Sequence, residues 1–247
     1  MKNAAAAILF SFLLMGMGPQ KAVNAGLDIN IENRVGEKAL VLDTVHYKNS
    51  LGQDFTVTNF KYYLSNFSLK TGDGRTYNSP DYFLVKADDE STWKIRLRGI
   101  PPGKYESLSF LIGVDSLHNC SGAQSGALDP ANGMFWAWNT GYIFLKFEGK
   151  AESSKSPGHI FEYHIGGYKA PANCIRKVTI DLSKMPVVAQ AGKKSTMQLI
   201  AQAMEILVNP VAIDFSKLSS VSDFHNSPMI ADNYADMFSA GNVVNEK

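Results

Sequence analysis

The chain has 247 residues, with 24 Lys or Arg and 23 Asp or Glu, so its formal net charge is +1 at pH 7. Charges of both signs are mixed along the chain, which argues against a nucleic-acid-binding surface and against a polyacidic substrate. The length is sufficient for one large domain with a substantial core.

The first 25 residues have the pattern of a signal peptide. Lys2 precedes an apolar run over residues 4–16, and the modest side chains of Val23 and Ala25 fit a cleavage site after Ala25. The apolar run is too short for a comfortable membrane span. We therefore expect a periplasmic or secreted protein whose residues 26–247 form a single domain without a membrane span.

Short β-like runs separated by turn residues dominate the remaining sequence. They cover residues 27–31, 39–47, 55–69, 82–85, 93–97, 105–114, 142–147, 160–165, 175–182 and 195–208. Many short strands at fairly even spacing predict an all-β fold, namely an antiparallel β-sandwich. In the 175–182 run, Val178, Ile180 and Leu182 alternate with polar residues and are expected to face the core. Residues 189–203 are ambiguous, because their Ala and Gln content favours a helix whereas Met197, Leu199 and Ala201 alternate as in a strand.

A short C-terminal helix is predicted to pack on the sandwich. Ser227 is suited to the N-cap, and Pro228 is suited to the first helical position. Its apolar face is marked at helical spacing by Ile230, Tyr234, Met237 and Phe238.

The chain contains two cysteines, Cys120 and Cys174. In an exported protein an even number of cysteines favours a disulfide. This disulfide would close a loop of roughly fifty residues and stabilise the fold by about 4 kcal/mol in the chain-entropy model. The alternative is a pair of soft thiolate ligands for a metal ion.

No catalytic signature is present in the sequence. It lacks a Gly-x-Ser-x-Gly nucleophile elbow, a His-Glu-x-x-His pair, a P-loop and a dinucleotide-binding fingerprint. We therefore expect a protein that is not an enzyme. A hydrolase built from Asp/His pairs is a weaker alternative without a motif.

Two histidines are candidate metal ligands. His118 lies in a polar loop after a strand-like run, and His164 shares one face of a strand with Glu162, opposite Tyr163 and Ile165. Imidazole suits copper and zinc. An isolated histidine of this kind is more often a surface or hydrogen-bonded residue.

Trp136 and Trp138 are two residues apart in a turn-rich segment, so on a strand they share a face. Three interpretations remain open. The rings cap one end of the core with an indole N–H bonded to a loop carbonyl, they stack on a sugar or another flat ligand, or one of them is redox-active beside a metal ion.

Several segments, in the same order over most of the chain, resemble the MbnP-like family of exported bacterial proteins. The segments are NFKYYLSNFSL, IPPGKYESLSFLIGVD, HN, ALDPANGMFWAWNTGYIFLKFEG, FEYHIGG and MIADNYADMF. The most specific of them are MFWAWNTGY and the later Phe-x-x-His-Ile-Gly.

The resemblance implies a β-rich, exported protein connected with copper and, in some members, with methanobactin. Such proteins are often encoded beside a MauG-like di-haem peroxidase, and in copper-binding members a tryptophan oxidised to kynurenine lies at a copper site with His ligands. Carried over to this chain, Trp136 or Trp138 is the oxidised residue and His118 and His164 are the ligands. His46 is a further metal candidate.

The sequence departs from the family pattern at two positions. Trp138 stands where some copper-binding members have a histidine two residues after the modified tryptophan. The chain also has His118 followed by Asn119, whereas other branches have Asn followed by His. This second difference is expected to move the imidazole relative to the loop.

The leading hypothesis is an exported copper-binding protein, not itself an enzyme, that is the substrate of a partner di-haem peroxidase. Because strand pairing brings distant loops to one end of a sandwich, His118 and His164 are expected to converge near Trp136 and Trp138. The alternative is a non-catalytic carbohydrate- or protein-binding β-sandwich module in which Trp136 and Trp138 form a stacking platform.

Overall fold

The computed structural model describes residues 24–136 and 141–246. Residues 1–23 of the predicted signal peptide, which covers residues 1–25, fall outside these ranges. Within them the strands are, in chain order, β1 Ala25–Val35, β2 Lys38–Ala39, β3 Tyr47–Lys48, β4 Asp54–Thr71, β5 Thr76–Lys86, β6 Lys94–Ile100, β7 Gly103–Ile112, β8 Leu145–Lys150, β9 Ile160–Ile165, β10 Arg176–Asp181, β11 Val187–Ala189, β12 Lys194–Gln202, β13 Ser220–Val221 and β14 Phe238–Asn245. The helices are α1 Ser116–Cys120 and α2 Ser227–Tyr234.

The strands form two sheets, as predicted for a mostly-β, sandwich-like fold. The smaller sheet has the order β14-β12-β1-β2, with β6 also paired to β1. The larger sheet has the order β10-β7-β4-β8-β9-β13, with β3 and β5 on β4 and β11 on β7. Most pairing is antiparallel, as predicted, but β1 pairs with β12 and β9 pairs with β13 in parallel. Both pairs are distant in sequence, so no tight hairpin imposes an antiparallel arrangement.

Aromatic side chains join the two sheets in the core. The ring of Phe238 on β14 lies 5.7 Å from that of Tyr62 on β4 and 5.1 Å from that of Phe110 on β7, edge to face in both cases. Each such pair is worth about 0.5–1.5 kcal/mol beyond the buried area. The buried Tyr62 hydroxyl donates to Asn33 Oδ1 on β1 at 2.8 Å, so a hydrogen bond also connects the sheets.

The connection between β7 and β8 covers the outer face of the larger sheet. Tyr63 faces away from Tyr62 because adjacent residues of a strand point to opposite faces. The Tyr63 carbonyl accepts from Gly113 N–H, and the Tyr63 N–H donates to the Phe144 carbonyl, both at 2.9 Å. The chain therefore leaves and rejoins the sheet beside the same residue. The Tyr63 hydroxyl donates to the Ala127 carbonyl of this connection at 2.9 Å.

Most predicted strands are present, and three segments deserve comment. The predicted strand at 39–47 is mostly a turn, because the Tyr47 hydroxyl bonds the backbone of Ala39 and Val41 and folds the segment on itself. The ambiguous 189–203 segment contains strand β12. The C-terminal helix begins at Ser227 but ends at Tyr234, and Phe238 begins β14 because its ring packs into the core between the sheets.

Candidate functional site

His118 is held on the outer face by its neighbours on α1 and β5. Asp115 caps α1: its Oδ1 accepts from the His118 backbone N–H at 3.0 Å and lies 3.1 Å from His118 Nδ1. The Tyr82 hydroxyl lies 2.7 Å from the same Nδ1, and the two rings are 4.5 Å apart. Among the described residues these contacts engage Nδ1 only, which leaves Nε2 available to a ligand.

Asp115 is the centre of this polar cluster. Its Oδ2 accepts from the Tyr82 hydroxyl and, at 3.2 Å, from the Asn66 amide. Asn66 reaches it from a left-handed backbone position with a φ of 53°, at an irregularity in the β4–β7 pairing. Burial by itself would raise the pKa of Asp115, but the hydrogen bonds from Tyr82, His118 and Asn66 hold it well below its usual value. Asp115 is therefore a fixed carboxylate that orients the His118 ring.

His118 also borders an open cleft of about 380 Å³. The cleft is lined by Pro80, Asp81, Tyr82, His118, Gln124, Ser125, Ala127 and Leu128. The His118 side chain keeps 32% of its surface exposed. An ion from solvent can therefore reach the ring without rearrangement of the core.

His164 lies in a different group of side chains, on β9. Its Nε2 is 2.7 Å from Glu148 Oε1, and Glu148 on β8 lies directly opposite Glu162 on β9. One ligand atom from each of Glu148, Glu162 and His164 lies within 4.8 Å of the other two. Burial alone would raise the pKa of Glu148, but its hydrogen bonds with His164 and Asn59 lower it below its usual value.

The structure does not bring His118 and His164 together. His164, Lys146 and Lys61 form one row across β9, β8 and β4. Tyr82, whose ring centre is 4.5 Å from that of His118, lies on β5, one further strand away and four residues further along. With strand spacings of about 4.8 Å and a rise of about 3.3 Å per residue, the Cα atoms of Tyr82 and His164 are about 19 Å apart. Two ligands of one ion lie about 2 Å from it, so the described residues do not show the predicted convergence.

His46 is exposed in the turn before β3. Its carbonyl accepts from Lys38 Nζ at 3.4 Å. Within the described part of the chain, no cluster of three or more His, Cys, Asp or Glu donors contains His46 or His118.

Trp136 is buried, with 5% of its surface exposed. Its ring meets that of Phe224 edge to face at 5.8 Å. A side chain at Gly166 would place its Cβ 2.6 Å from the indole, so this glycine makes room for the ring. A buried ring cannot serve as an open stacking platform for a sugar. Trp138 lies outside the described residues.

Trp136 forms one wall of a cavity of about 280 Å³. Tyr142, Tyr168 and Phe224 supply further aromatic walls, and Lys169 supplies a positive charge. The Lys169 Nζ lies 5.2 Å from the centre of the Tyr168 ring. Asn119 also reaches this cavity, so α1 separates it from the cleft beside His118.

The predicted disulfide between Cys120 and Cys174 is not formed in the structure, where both are free cysteines. The exposed Cys120 thiol points to the Tyr168 hydroxyl, with its sulfur 3.4 Å from the oxygen. The buried Cys174 thiol points to the Ala172 carbonyl, with 3.5 Å between sulfur and oxygen. Each sulfur thus has a partner other than the second cysteine.

We expect the two thiols to differ in reactivity. Burial raises the pKa of Cys174 to about 12, whereas Cys120 is exposed, and the thiolate is the reactive form. In the native protein without reductant, a thiol reagent should modify Cys120 and should reach Cys174 only after unfolding. Cys120→Ser should remove the native reactivity. If no thiol reacts in denaturant until a reductant is added, the disulfide is formed after all.

Several residues of these clusters carry no signal in the sequence. Asp115, Tyr82 and Asn66 are common residue types in turns and strands, and they meet only because α1, β5 and β4 come together. The alternation on β9 correctly predicts that His164 and Glu162 share a face of the strand. The position of Glu148 beside them follows only from the pairing of β8 with β9.

No helix among the described residues is long and apolar enough to cross a membrane.

Most of the chain is similar to known proteins. A family model described as MbnP matches residues 24–226. Among solved structures, MbnP from Methylosinus trichosporium is similar with a TM-score of 0.50 and 14% sequence identity, over 91% of this chain and 99% of that chain. At this identity the likeness concerns the fold. No curated protein sequence matches the chain.

Proposed function

Because the chain belongs to the MbnP family, whose model covers residues 24–226, we propose that it is an exported copper-binding protein. In this proposal the protein has no catalytic activity of its own, resides in the periplasm or is secreted, and uses His118 as a copper ligand. The choice of copper rests on the connection of the family with methanobactin and copper. The choice of His118 as ligand rests on the geometry of its side chain.

The observation that carries the proposal is the fixed orientation of His118. Its Nδ1 faces Asp115 and Tyr82, and metal-binding histidines commonly donate their second ring N–H to a carboxylate. An imidazole held in this way presents Nε2 to an ion in the adjoining cleft. Imidazole nitrogen suits copper, so this residue fits the metal. His164 is not part of the proposed copper site. Its Nε2 faces Glu148, and its strand β9 is three strands from β5, which carries Tyr82 beside His118.

We further propose that Trp136 is oxidised to kynurenine by a partner di-haem peroxidase of the MauG kind. Two equivalents of hydrogen peroxide oxidise the indole, the C2–C3 bond is cleaved with addition of two oxygen atoms, and two waters leave. Hydrolysis then releases the formyl carbon as formate. The position of Trp136 supports the proposal, because its ring lines a cavity and contacts Phe224, which is 42% exposed. An electron can therefore leave the indole close to the surface.

The copper proposal is tested by Cu(I) titration under reducing conditions, in competition with a chromophoric chelator. His118→Ala is expected to weaken Cu(I) binding by more than about 100-fold, and Asp115→Asn by about 10–100-fold, because the carboxylate orients the ligand. His46→Ala is the control and should bind like wild type. Equal affinity of wild type and a folded His118→Ala protein would remove His118 from the site.

The oxidation proposal has its own measurement. After incubation with the partner peroxidase and peroxide, the peptide that contains Trp136 should exchange one carbon atom for one oxygen atom, a gain of about 4 Da. Fragment spectra distinguish Trp136 from Trp138. A peptide of unchanged mass, or a gain assigned to Trp138 alone, would contradict oxidation of Trp136.

A further inference from the structure

We infer that Glu148, Glu162 and His164 form a second metal site that takes a divalent transition ion such as Zn²⁺ and is separate from the copper ligand His118. The site lies on the outer face of the larger sheet. It does not depend on the proposed copper function.

The β8–β9 register places the three side chains around one point. Glu148 and Glu162 are directly opposite, and His164 follows Glu162 by two residues on the same face of β9. One ligand atom from each residue lies within 4.8 Å of the other two. Ligands that each lie about 2 Å from one ion are separated by about 4 Å or less. Small rotations of the side chains are therefore enough to close the site on an ion.

The charges at this position also favour a cation. Like charges directly opposite on neighbouring strands are destabilising, yet Glu148 and Glu162 face each other. Of the lysines on the same face, Lys61 pairs with Asp88 at 4.0 Å and Lys86 with Asp89 at 2.9 Å. Lys146 and Lys150 flank Glu148 on β8 without forming an ion pair with it. Within the described residues, neither glutamate forms an ion pair with Lys or Arg, and His164 is the single ion-pair partner of Glu148. A bound dication would neutralise the opposed carboxylates.

The surroundings suit a site that stays open to solvent. The side chains of His164 and Glu148 are 24% and 21% exposed, so both are partly fixed by packing. Glu162 is exposed, which gives an ion a route from water. On binding, the ion would replace the proton shared between His164 Nε2 and Glu148 Oε1.

The donor types select the class of ion. Two carboxylates and one imidazole are borderline to hard ligands, which suit Zn²⁺ and other divalent transition ions better than soft Cu(I). Three protein ligands leave a coordination position for water. The imidazole distinguishes this set from all-oxygen sites for Mg²⁺ or Ca²⁺.

The test is a Zn²⁺ titration of the purified protein by calorimetry, together with thermal unfolding with and without Zn²⁺. Wild type should bind Zn²⁺ and unfold at a higher temperature when it is present. Glu162→Gln and His164→Asn should each weaken Zn²⁺ binding by at least tenfold and remove most of the thermal shift. Without Zn²⁺, Glu162→Gln should be as stable as wild type or more stable, because a repulsive charge has been removed.

Two controls separate this site from others. Glu152→Gln removes a carboxylate beside His159, where the nitrogen and oxygen are 3.8 Å apart and the glutamate is largely exposed; it should bind Zn²⁺ like wild type. His118→Ala should lose Cu(I) affinity and keep Zn²⁺ affinity, so the copper proposal can fail independently. Equal Zn²⁺ affinity in wild type and Glu162→Gln, or loss of Zn²⁺ binding in Glu152→Gln alone, would overturn the inference.

Discussion

Replacing Gly149 with alanine is expected to destabilise the protein by about 3 kcal/mol or more. Gly149 is buried on β8, and an added Cβ would lie 1.9 Å from the Thr56 carbonyl oxygen and 2.6 Å from the Phe161 ring. The first of these atoms belongs to the backbone of β4 and cannot rotate away. Phe161, the register partner of Gly149, stacks on Phe215 with 4.6 Å between the rings. An alanine must therefore displace both the strand and this aromatic stack.

Thermal unfolding measures the effect of Gly149→Ala. A loss of about 3 kcal/mol corresponds to a fall in Tm of about 6–12 °C for a domain of this size. Gly103→Ala is the matched control, because Gly103 also lies in a strand of the larger sheet and the nearest atom to its added Cβ is 3.5 Å away. It should stay within about 0.5 kcal/mol of wild type. Equal Tm values for both variants would contradict the close approach at Gly149.

The sequence was sufficient to predict the fold class because the strands carry a local signal. Val178, Ile180 and Leu182 are buried as their alternation predicts, and the strand at 160–165 has the predicted bounds. Pairing is not local. The parallel contact of β1 with β12 joins segments more than 150 residues apart, and no feature of either segment specifies its partner.

The candidate site was less predictable for the same reason. The sequence indicated His118 and His164 one at a time, but their partners come from other strands: Tyr82 from β5 and Glu148 from β8. A resemblance to a family transfers residue types, whereas the distance between two histidines depends on how β4, β5, β8 and β9 are ordered. Strand order therefore separates the two histidines.

The order of His118 and Asn119 along the chain has a structural explanation. Asn119 is buried, with 2% of its surface exposed, and bonds the backbone of the β7–β8 connection. His118, its neighbour on α1, points instead to Asp115 and Tyr82 on the outer face. An exchange of the two residues would place an imidazole in the space of the amide. The order His-Asn thus keeps the imidazole beside the open cleft.

Asn119→Ala is expected to destabilise the protein by about 3 kcal/mol. The Asn119 amide donates to the Val114 carbonyl at 2.5 Å, and its Oδ1 accepts from the Tyr142 N–H at 2.9 Å. Alanine would leave both buried backbone groups without these partners, and each such loss costs about 1–3 kcal/mol. Asn119→Asp should be no milder at neutral pH, because a carboxylate cannot donate to Val114.

Denaturant unfolding of a matched pair of variants measures this effect. Asn132, in the same connection, also donates its amide to two carbonyls, those of Gly126 and Ala127 at 3.0 and 3.1 Å. It is partly exposed, so water can replace its hydrogen bonds and Asn132→Ala should cost less than about 1 kcal/mol. The free energy of unfolding should therefore fall much further for Asn119→Ala. Equal losses for the two variants would mean that Asn119 does not hold the connection in place, and that the position of His118 depends on Asp115 and Tyr82 alone.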